Sequence, residues 1–410
     1  MERTIRALTM DDLPRLSSAA KLAYPPYGDA KWRREAYFIA ALEKRQSGVF
    51  YGCFDGDLMA GFMELYDFKM NLRGTILPAG GIGFIGVDPL YKRQGVASDM
   101  IDYYENHYKQ RNIFALVLYP INIAYYLKKG YCCHTRMYQY RISPLCFPFL
   151  SSPDHVRIAG EEVDHSKILD CFEVFFTRAN GMLMKREADL RSLLSDNHVV
   201  IYEKNGVVEG YAIFNFEKEN ENYVHMDNMM VTEWIWTNRE SFLELCAFFH
   251  NQADQVKRVI VNSPYENLHL CMSDPSSGLN YSFKNLRHEF SAAATDSMMK
   301  ISSGEGIFRQ LEGCGFSEDI RVRFEITRSG GDNESFLVNV SSGHARVVTD
   351  GKCDVSVTMP QGVFTALISG AANFGELYTM GMAAINDSAL VSVVDAAFQC
   401  RHRPQTLTYF

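Results

Sequence analysis

The chain has 410 residues, so two or three domains are expected at roughly 150 residues per domain. Hydrophobic residues make up 47% and charged residues 22%, an ordinary globular composition that excludes disorder, collagen and coiled coil. No apolar stretch approaches the roughly 18 residues of a membrane span, and the N-terminal sequence MERTIRALTMDDL lacks the apolar core of a signal peptide. The composition predicts a soluble protein of the cytoplasm with no membrane partner.

The charges and the metal-binding residue types exclude further classes of function. Ten cysteines are scattered without a C-x-x-C spacing, and eleven histidines form no H-x-x-x-H pattern, so no metal is predicted. The net charge is −8 and Lys and Arg form no dense stripe, so nucleic acid is not an expected partner. Residues 1–145 nevertheless carry 19 basic against 14 acidic residues. This balance favours an anionic ligand on the first segment, the alternative being uneven surface charge without a function.

The first segment, residues 1–145, alternates strands and helices in a readable order. Its apolar alternation predicts strands at 4–8, 49–54, 58–68, 79–87, 113–119 and 131–142. Its 3.6-residue periodicity predicts helices through about residue 24 and at 31–45, 94–111 and 122–129. We therefore predict a mixed α/β (α+β) domain.

The second segment, residues 146–291, repeats part of the first. Its hairpin sequence at 199–216 parallels that at 49–68, and a strand at 223–231 and a helix at 239–255 are predicted to follow. The connecting sequence TEWIWTN has no glycine. We interpret the segment as a duplicated fold that lost an anion-binding turn, the alternative being a chance likeness of two hairpins.

The third segment, residues 292–410, combines a small sheet with apolar helices. Strands are predicted at 319–327, 335–340, 344–348 and 353–359, and helices at 361–369 and 388–398. The sequence closes on QTLTYF, an alternating stretch that is expected to be held in place rather than frayed.

The most informative stretch of the chain is GFIGVDPLYKRQGVAS, residues 83–98. A buried strand ends at Val87, Pro89 blocks its continuation, and a turn containing Gly95 leads directly into a helix. Backbone N–H groups then converge at a helix N-terminus, which is a geometry that binds phosphate. Strand–turn–helix units are common, so the glycine alone is weak support.

The longer pattern V-x-P-x-x-[RK]-x-x-G-[VIL]-A resembles motif A of the GCN5-related N-acetyltransferases (GNAT). In that superfamily the turn binds the pyrophosphate of coenzyme A and the preceding strand pairs with the pantetheine arm. A second motif, Y-x-x-x-G-[YF], matches from Tyr126 to Tyr131. The resemblance implies acetyl-CoA as co-substrate, and it implies coenzyme contacts at Ile85, Gly86, Val87, Arg93, Gln94, Gly95, Val96, Ala97, Ser98, Ile121 and Asn122.

The whole chain resembles the enhanced intracellular survival (Eis) family of acetyltransferases. That resemblance implies a catalytic GNAT domain at 1–145, a degenerate GNAT-like domain at 146–291 and a sterol-carrier-protein-like domain at 292–410. It also implies Tyr126 as general acid toward the departing thiolate, the terminal carboxylate of Phe410 as general base, and a homohexamer. Tyr125 competes with Tyr126 for the first role.

Three functions follow as hypotheses. The leading one is acetyl transfer from acetyl-CoA to a primary amine, with an aminoglycoside-like or other polyamine-like or lysine-like small molecule as acceptor. The second is a noncatalytic sensor or scaffold that binds acetyl-CoA. The third is a lipid carrier that acts through the C-terminal domain.

Overall fold

The computed structural model describes residues 3–24, 31–44, 48–150, 152–160, 164–194, 197–218, 227–279, 286–311, 315–328, 331 and 333–410. The chain divides into two compact units. Unit 1 contains residues 1–133, 297–401 and 410, and unit 2 contains residues 134–296 and 402–409.

The described residues form short strands and helices in alternation. The strands are β1 (Thr4–Ala7), β2 (Val49–Asp55), β3 (Leu58–Leu72), β4 (Thr75–Val87), β5 (Ala115–Leu118), β6 (Cys132–Cys133), β7 (Arg136–Ile142), β8 (Val156–Ile158), β9 (Met182–Leu183), β10 (His198–Lys204), β11 (Val207–Glu217), β12 (Asp227–Trp236), β13 (Val256–Ser263), β14 (Ser291–Thr295), β15 (Met298–Ile301), β16 (Ile320–Thr327), β17 (Glu334–Ser341), β18 (His344–Val348), β19 (Val355–Pro360) and β20 (Ala384–Ile385). The helices are α1 (Leu13–Ala23), α2 (Lys31–Lys44), α3 (Val96–Gln110), α4 (Ile123–Lys128), α5 (His165–Phe176), α6 (Glu187–Leu194), α7 (Arg239–His250), α8 (Gly304–Gln310), α9 (Gln361–Ser369), α10 (Phe374–Thr379) and α11 (Val391–Phe398). Among these residues no helix is long and apolar enough to cross a membrane.

The large sheet of unit 1 has the strand order β1-β2-β3-β4-β5-β15-β6. Strands β4 and β5 are parallel, and β15 is antiparallel to both β5 and β6. The side chains of Met298 and Met299 in β15 are fully buried. These methionines fill the core from a strand that lies between β5 and β6.

The β3–β4 hairpin is longer than the sequence predicted. Both strands extend to a two-residue turn in which Arg73 has φ +55° and Gly74 φ +86°, the positive angles of a type I′ turn. Arg73 tolerates this conformation because its guanidinium donates to the carbonyls of Phe398 (3.1 Å) and Gln399 (2.9 Å). The hairpin tip is thereby fastened to the C-terminal part of unit 1.

The second sheet of unit 1 has the order β18-β17-β16-β19-β20, with only β16 and β19 parallel to each other. Phenylalanine rings fill the interior between this sheet and helices α8, α9 and α11. Neighbouring centroids lie 5.3–6.2 Å apart in a cluster of Phe308, Phe316, Phe324, Phe336, Phe364 and Phe398. Such spacing is typical of packed aromatic pairs.

The sheet of unit 2 has the order β14-β7-β13-β12-β11-β10-β8. The strand predicted at 131–142 is in fact broken at His134 and Thr135, so that its first part lies in unit 1 and its second part in unit 2. The strand predicted at 223–231 runs instead to Trp236, and residues 223–226 lie outside the described part of the chain. The sequence TEWIW therefore belongs to β12 and is not a connection.

Candidate active site

Strands β4 and β5 separate at one end of the unit 1 sheet. Their parallel pairing runs from Ala79↔Ala115 to Ile82↔Leu118 and then stops, although β4 continues to Val87. Residues 83–87 thus extend beyond their last β5 partner. Unpaired strand backbone can hydrogen-bond the amides of an extended ligand.

A β-bulge reshapes β4 where the strands separate. The register with β3 shifts between Phe62 and Glu64, and Phe84 on β4 has φ +48°. Bulges re-aim side chains and are frequent beside active sites. Gly86 packs against Phe62, because a Cβ on Gly86 would lie 2.2 Å from the Phe62 ring. Gly86 is therefore required by packing inside the protein.

The predicted turn follows directly after β4. Arg93 has φ +62° and Gly95 φ +87°, and α3 begins at Val96 without a side-chain cap. The first-turn N–H groups have no intrahelical acceptor, and they lie at the positive end of the helix dipole. Among the described residues, a Cβ on Gly95 would have only Arg3 within 4 Å, at 3.8 Å. The positive φ of Gly95, and not contact with neighbouring side chains, therefore favours glycine at this position.

Arg3 adjusts the charge at this turn. Its guanidinium donates to the carbonyl of Gln94 (2.8 Å) and forms an ion pair with Asp99 in the first turn of α3 (2.6 Å). The ion pair offsets an acidic charge that would repel an anionic ligand. Arg93 and Gln94 are exposed, and the Ser98 hydroxyl accepts a hydrogen bond from Lys129 (2.7 Å).

Unit 2 lacks this turn. Only Thr237 and Asn238 connect β12 to α7. The Asn238 side chain caps α7 by accepting from the N–H of Ser241 (2.9 Å), and Glu240 adds a negative charge to the first turn. The helix N-terminus is satisfied by its own residues, so it offers little to a phosphate.

Helix α4 carries the other predicted site residues. Asn122 caps it by accepting from the N–H of Tyr125 (3.1 Å), and Ile121 is 82% exposed. Tyr126 is buried and Tyr125 half-buried. Burial raises the pKa of Tyr126 to about 12, and Tyr125 adds to the shift. The Tyr126 phenol is therefore protonated at neutral pH.

The structure brings four of the predicted site residues together. Val96 and Tyr126 belong to one buried cluster, and Ile85 and Val87 pack against it. Tyr24 donates a hydrogen bond to the carbonyl of Ile85 (2.8 Å). The strand, the turn and the α4 tyrosine thus surround the end of the β4–β5 separation.

Phe410 lies at the same place. Its ring packs against the rings of Tyr66 (5.1 Å), Phe68 (4.9 Å) and Tyr119 (5.2 Å). A Cβ on Gly83 would lie 3.4 Å from the main-chain oxygen of Phe410. The Phe410 carboxyl group therefore lies over Gly83, one residue past the last β4–β5 pair.

The residues that shape the slot for the Phe410 ring were not predicted from the sequence. A Cβ on Gly81 would lie 3.0 Å from the Phe410 ring, and Gly81 pairs with Tyr66 across the sheet. Tyr66 donates to the buried carboxylate of Glu64 (2.7 Å), which also accepts from Tyr37 (2.6 Å). Glu64, Tyr66 and Phe68 alternate along β3, so the sequence already indicated that their side chains lie on the same face of the sheet.

Comparison with known proteins identifies two regions of the chain. Residues 4–133 match a family model described as acetyltransferase (GNAT) domain, and residues 180–301 match a second model of the same description. The chain is an acetyltransferase with two GNAT domains. A search of curated proteins gave no match.

Solved structures share the fold of this acetyltransferase along its whole length. A probable N-acyltransferase from Enterococcus faecalis is 16% identical, with a TM-score of 0.82 and 100% of both chains covered. A GCN5-related N-acetyltransferase from Kribbella flavida is 18% identical (TM-score 0.76; 100% of this chain and 98% of that chain). Eis1 from Mycobacterium abscessus is 16% identical (TM-score 0.77; 99% of this chain and 100% of that chain).

GNAT domains use acetyl-CoA as co-substrate, which agrees with the predicted cofactor of the acetyltransferase. The predicted mixed α/β fold is confirmed. Within the described ranges, no three His, Cys, Asp or Glu side chains lie close enough to hold a metal ion.

Proposed function

We propose that the protein belongs to the Eis family and transfers the acetyl group of acetyl-CoA directly to a primary amine. Tyr126 acts as general acid and the Phe410 carboxylate as general base. The observation that carries this proposal is the position of the Phe410 carboxyl group over Gly83, where β4 and β5 separate. The whole-length fold shared with Eis1 of Mycobacterium abscessus supports the family.

The coenzyme is held by backbone groups and by the turn. The pyrophosphate binds the N–H groups at the start of α3, with Arg93 nearby, because a helix N-terminus favours anions. The pantetheine arm extends along residues 85–87, where β4 has no β5 partner. Ile121 and Asn122 supply further contacts. A coenzyme bound in this way would present its thioester to Tyr126 and to the Phe410 carboxylate.

The transfer removes two protons from the amine nitrogen and adds one to the sulfur. The acceptor amine is mostly protonated at pH 7, so the Phe410 carboxylate accepts its proton and leaves the nitrogen lone pair free. The nitrogen attacks the thioester carbonyl, the N–C bond forms and the C–S bond breaks. The phenol of Tyr126 donates its proton to the departing sulfur and regains one from the acylated nitrogen, which loses its second proton to form the neutral amide. The Phe410 carboxyl group returns the first proton to solvent.

An amine screen tests this function. Acetyl-CoA and a panel of primary amines, including aminoglycosides, polyamines and lysine derivatives, are incubated with the untagged protein. We expect release of free thiol and acetylation of the amine, detected by mass spectrometry. Tight binding of acetyl-CoA without thiol release for any amine would support the sensor hypothesis instead.

Tyr126→Phe is expected to lower kcat by roughly 10² to 10⁴, because the variant keeps the ring and loses the proton donor. Acetyl-CoA affinity, measured by calorimetry, should change little. Tyr125→Phe is the matched control, since that neighbour is only half-buried on the same helix. Equal losses in both variants, or none in Tyr126→Phe, would contradict the assignment.

The pH profile provides an independent check. Tyr126 has a pKa of about 12, raised by burial, so its acid form persists at every lower pH. The rate should therefore rise with pH as the amine loses its proton, without an alkaline fall up to about pH 10. An alkaline fall near pH 8 that disappears in Tyr126→Phe would show that the phenol ionises much earlier.

The packed interior beside the sheet β18-β17-β16-β19-β20 argues against the lipid-carrier hypothesis. Among the described residues, six phenylalanine side chains fill the space that a lipid would need, and each is at most 5% exposed. This packing supports a structural role for residues 292–410, in a domain that we propose to be sterol-carrier-protein-like.

A further inference from the structure

The segment 402–409 of unit 2 has no regular secondary structure, yet its backbone is held at several points. The Asn180 side chain donates to the carbonyl of His402 (3.0 Å), and the Asn180 carbonyl accepts from the N–H of Gln405 (2.8 Å). Leu407 is fully buried within the core of unit 2. The hydroxyl of the buried Thr408 donates to the carbonyl of Leu183 (2.8 Å).

A buried ion pair supplies a further attachment. The Lys185 ammonium lies 2.6 Å from the Glu233 carboxylate, and their side chains are only 2% and 0% exposed. The same ammonium donates to the carbonyl of Leu407 (2.9 Å). Glu233 also accepts a hydrogen bond from the hydroxyl of Tyr211.

This arrangement fixes the backbone at one position. A buried carbonyl without a donor is costly, so the Leu407 oxygen depends on Lys185. Burial also limits Lys185 to one geometry, because its charge must stay with Glu233. Only Thr408 and Tyr409 separate Leu407 from Phe410 in the sequence.

We propose that Lys185, held by Glu233, is a positioning residue for the Phe410 carboxyl group. This inference rests on the proposed function of that carboxyl group as the base. It also gives the second GNAT domain a task in the reaction that requires no coenzyme of its own: it holds the segment that leads to the base.

The test compares variants that loosen the segment with a control in the same unit. Lys185→Met alone would leave Glu233 buried without its ion-pair partner, so it is combined with Glu233→Gln, which keeps a partner for Tyr211. Asp164→Asn is the control, because it weakens another ion pair of unit 2, in which the buried Asp164 carboxylate lies 2.7 Å from the partly exposed guanidinium of Arg157. Thr408→Val is a milder variant that removes only the hydroxyl bonded to Leu183.

The double variant is expected to lower kcat by about 10- to 100-fold, because small displacements of a reacting group cost this much. Its acetyl-CoA affinity should remain within about twofold of wild type, and carboxypeptidase should release Phe410 faster. Thr408→Val should show the same pattern to a smaller degree. Asp164→Asn should lower the melting temperature and leave kcat unchanged.

The outcomes separate the inference from the proposed function. Full activity in a chain extended beyond Phe410 would refute the base and the inference together. Loss of activity in that extended chain, with wild-type kcat in the double variant, would overturn the inference alone. If the double variant does not fold, an unchanged kcat and carboxypeptidase rate in Thr408→Val would overturn it instead.

Discussion

Blocking the Phe410 carboxyl group is expected to remove most amine acetylation while acetyl-CoA still binds. Amidation by semisynthesis replaces a negatively charged proton acceptor with a neutral group of similar size. We expect kcat to fall by roughly 10² to 10⁴, the range typical of a lost general base. A chain extended by Gly-Ser-Gly should show the same loss of kcat, because the Phe410 carboxyl group then becomes part of a peptide bond beside Gly83.

The control for this prediction separates the carboxylate from the ring. Phe410→Leu keeps the carboxyl group and removes the ring contacts with Tyr66, Phe68 and Tyr119. It should lower activity less than amidation does. Calorimetry of acetyl-CoA binding and the melting temperature should stay near wild type for the amidated protein. Full activity after amidation would rule out the base, and unfolding would indicate a structural terminus.

Gly95→Glu is expected to abolish acetyl-CoA binding without unfolding the protein. Two effects act against the variant. A side chain at φ +87° costs about 1–2 kcal/mol of backbone strain. The carboxylate also adds negative charge at the helix N-terminus that we propose for the pyrophosphate, and like charges in close contact cost several kcal/mol.

Gly74→Glu is the matched control for Gly95→Glu. Gly74 has nearly the same φ, +86°, and a Cβ there would meet no atom within 4 Å in the part of the chain that the structure describes. Gly74→Glu therefore introduces the same backbone strain and the same added negative charge as Gly95→Glu, but it does so at a hairpin tip. Calorimetry should show wild-type affinity in Gly74→Glu and none in Gly95→Glu. Retained affinity in Gly95→Glu would remove the turn from the coenzyme site.

The local elements of the site were predictable from sequence. Pro89 and Gly95 mark the end of one strand and the start of a helix, and the structure places α3 directly after this turn. The alternation around Lys69 and Asn71 also indicated a longer β3, yet Arg73-Gly74 is an unusual turn sequence and concealed the hairpin. Helix α5 shows the helical spacing of Ile168, Phe172 and Phe175, and it was overlooked.

The non-local parts could not be derived from one sequence. Nothing in DSMMK indicates that residues 298–301 pair with β5, because a short apolar strand fits many sheets. The glycines of AGGIGFIG (residues 79–86) are needed for different reasons. Gly81 and Gly83 make room for Phe410, and Gly86 makes room for Phe62. The periodicity of the sequence shows only the spacing of these glycines, whereas their partners lie far away in the sequence, on β3 and at the C-terminal residue.

The position of β15 has a consequence for synthesis of the chain. Strand β15 covers one edge of β5, and Met298 of β15 pairs with Leu118 of β5. The ribosome therefore synthesises β5 about 180 residues before β15. At about 5–20 residues per second, a ribosome needs roughly 10–40 s to bridge that interval. During this time the nascent chain carries an open apolar strand edge, a template for mispairing. A truncation ending at residue 145 would keep that edge permanently, so such a fragment should aggregate.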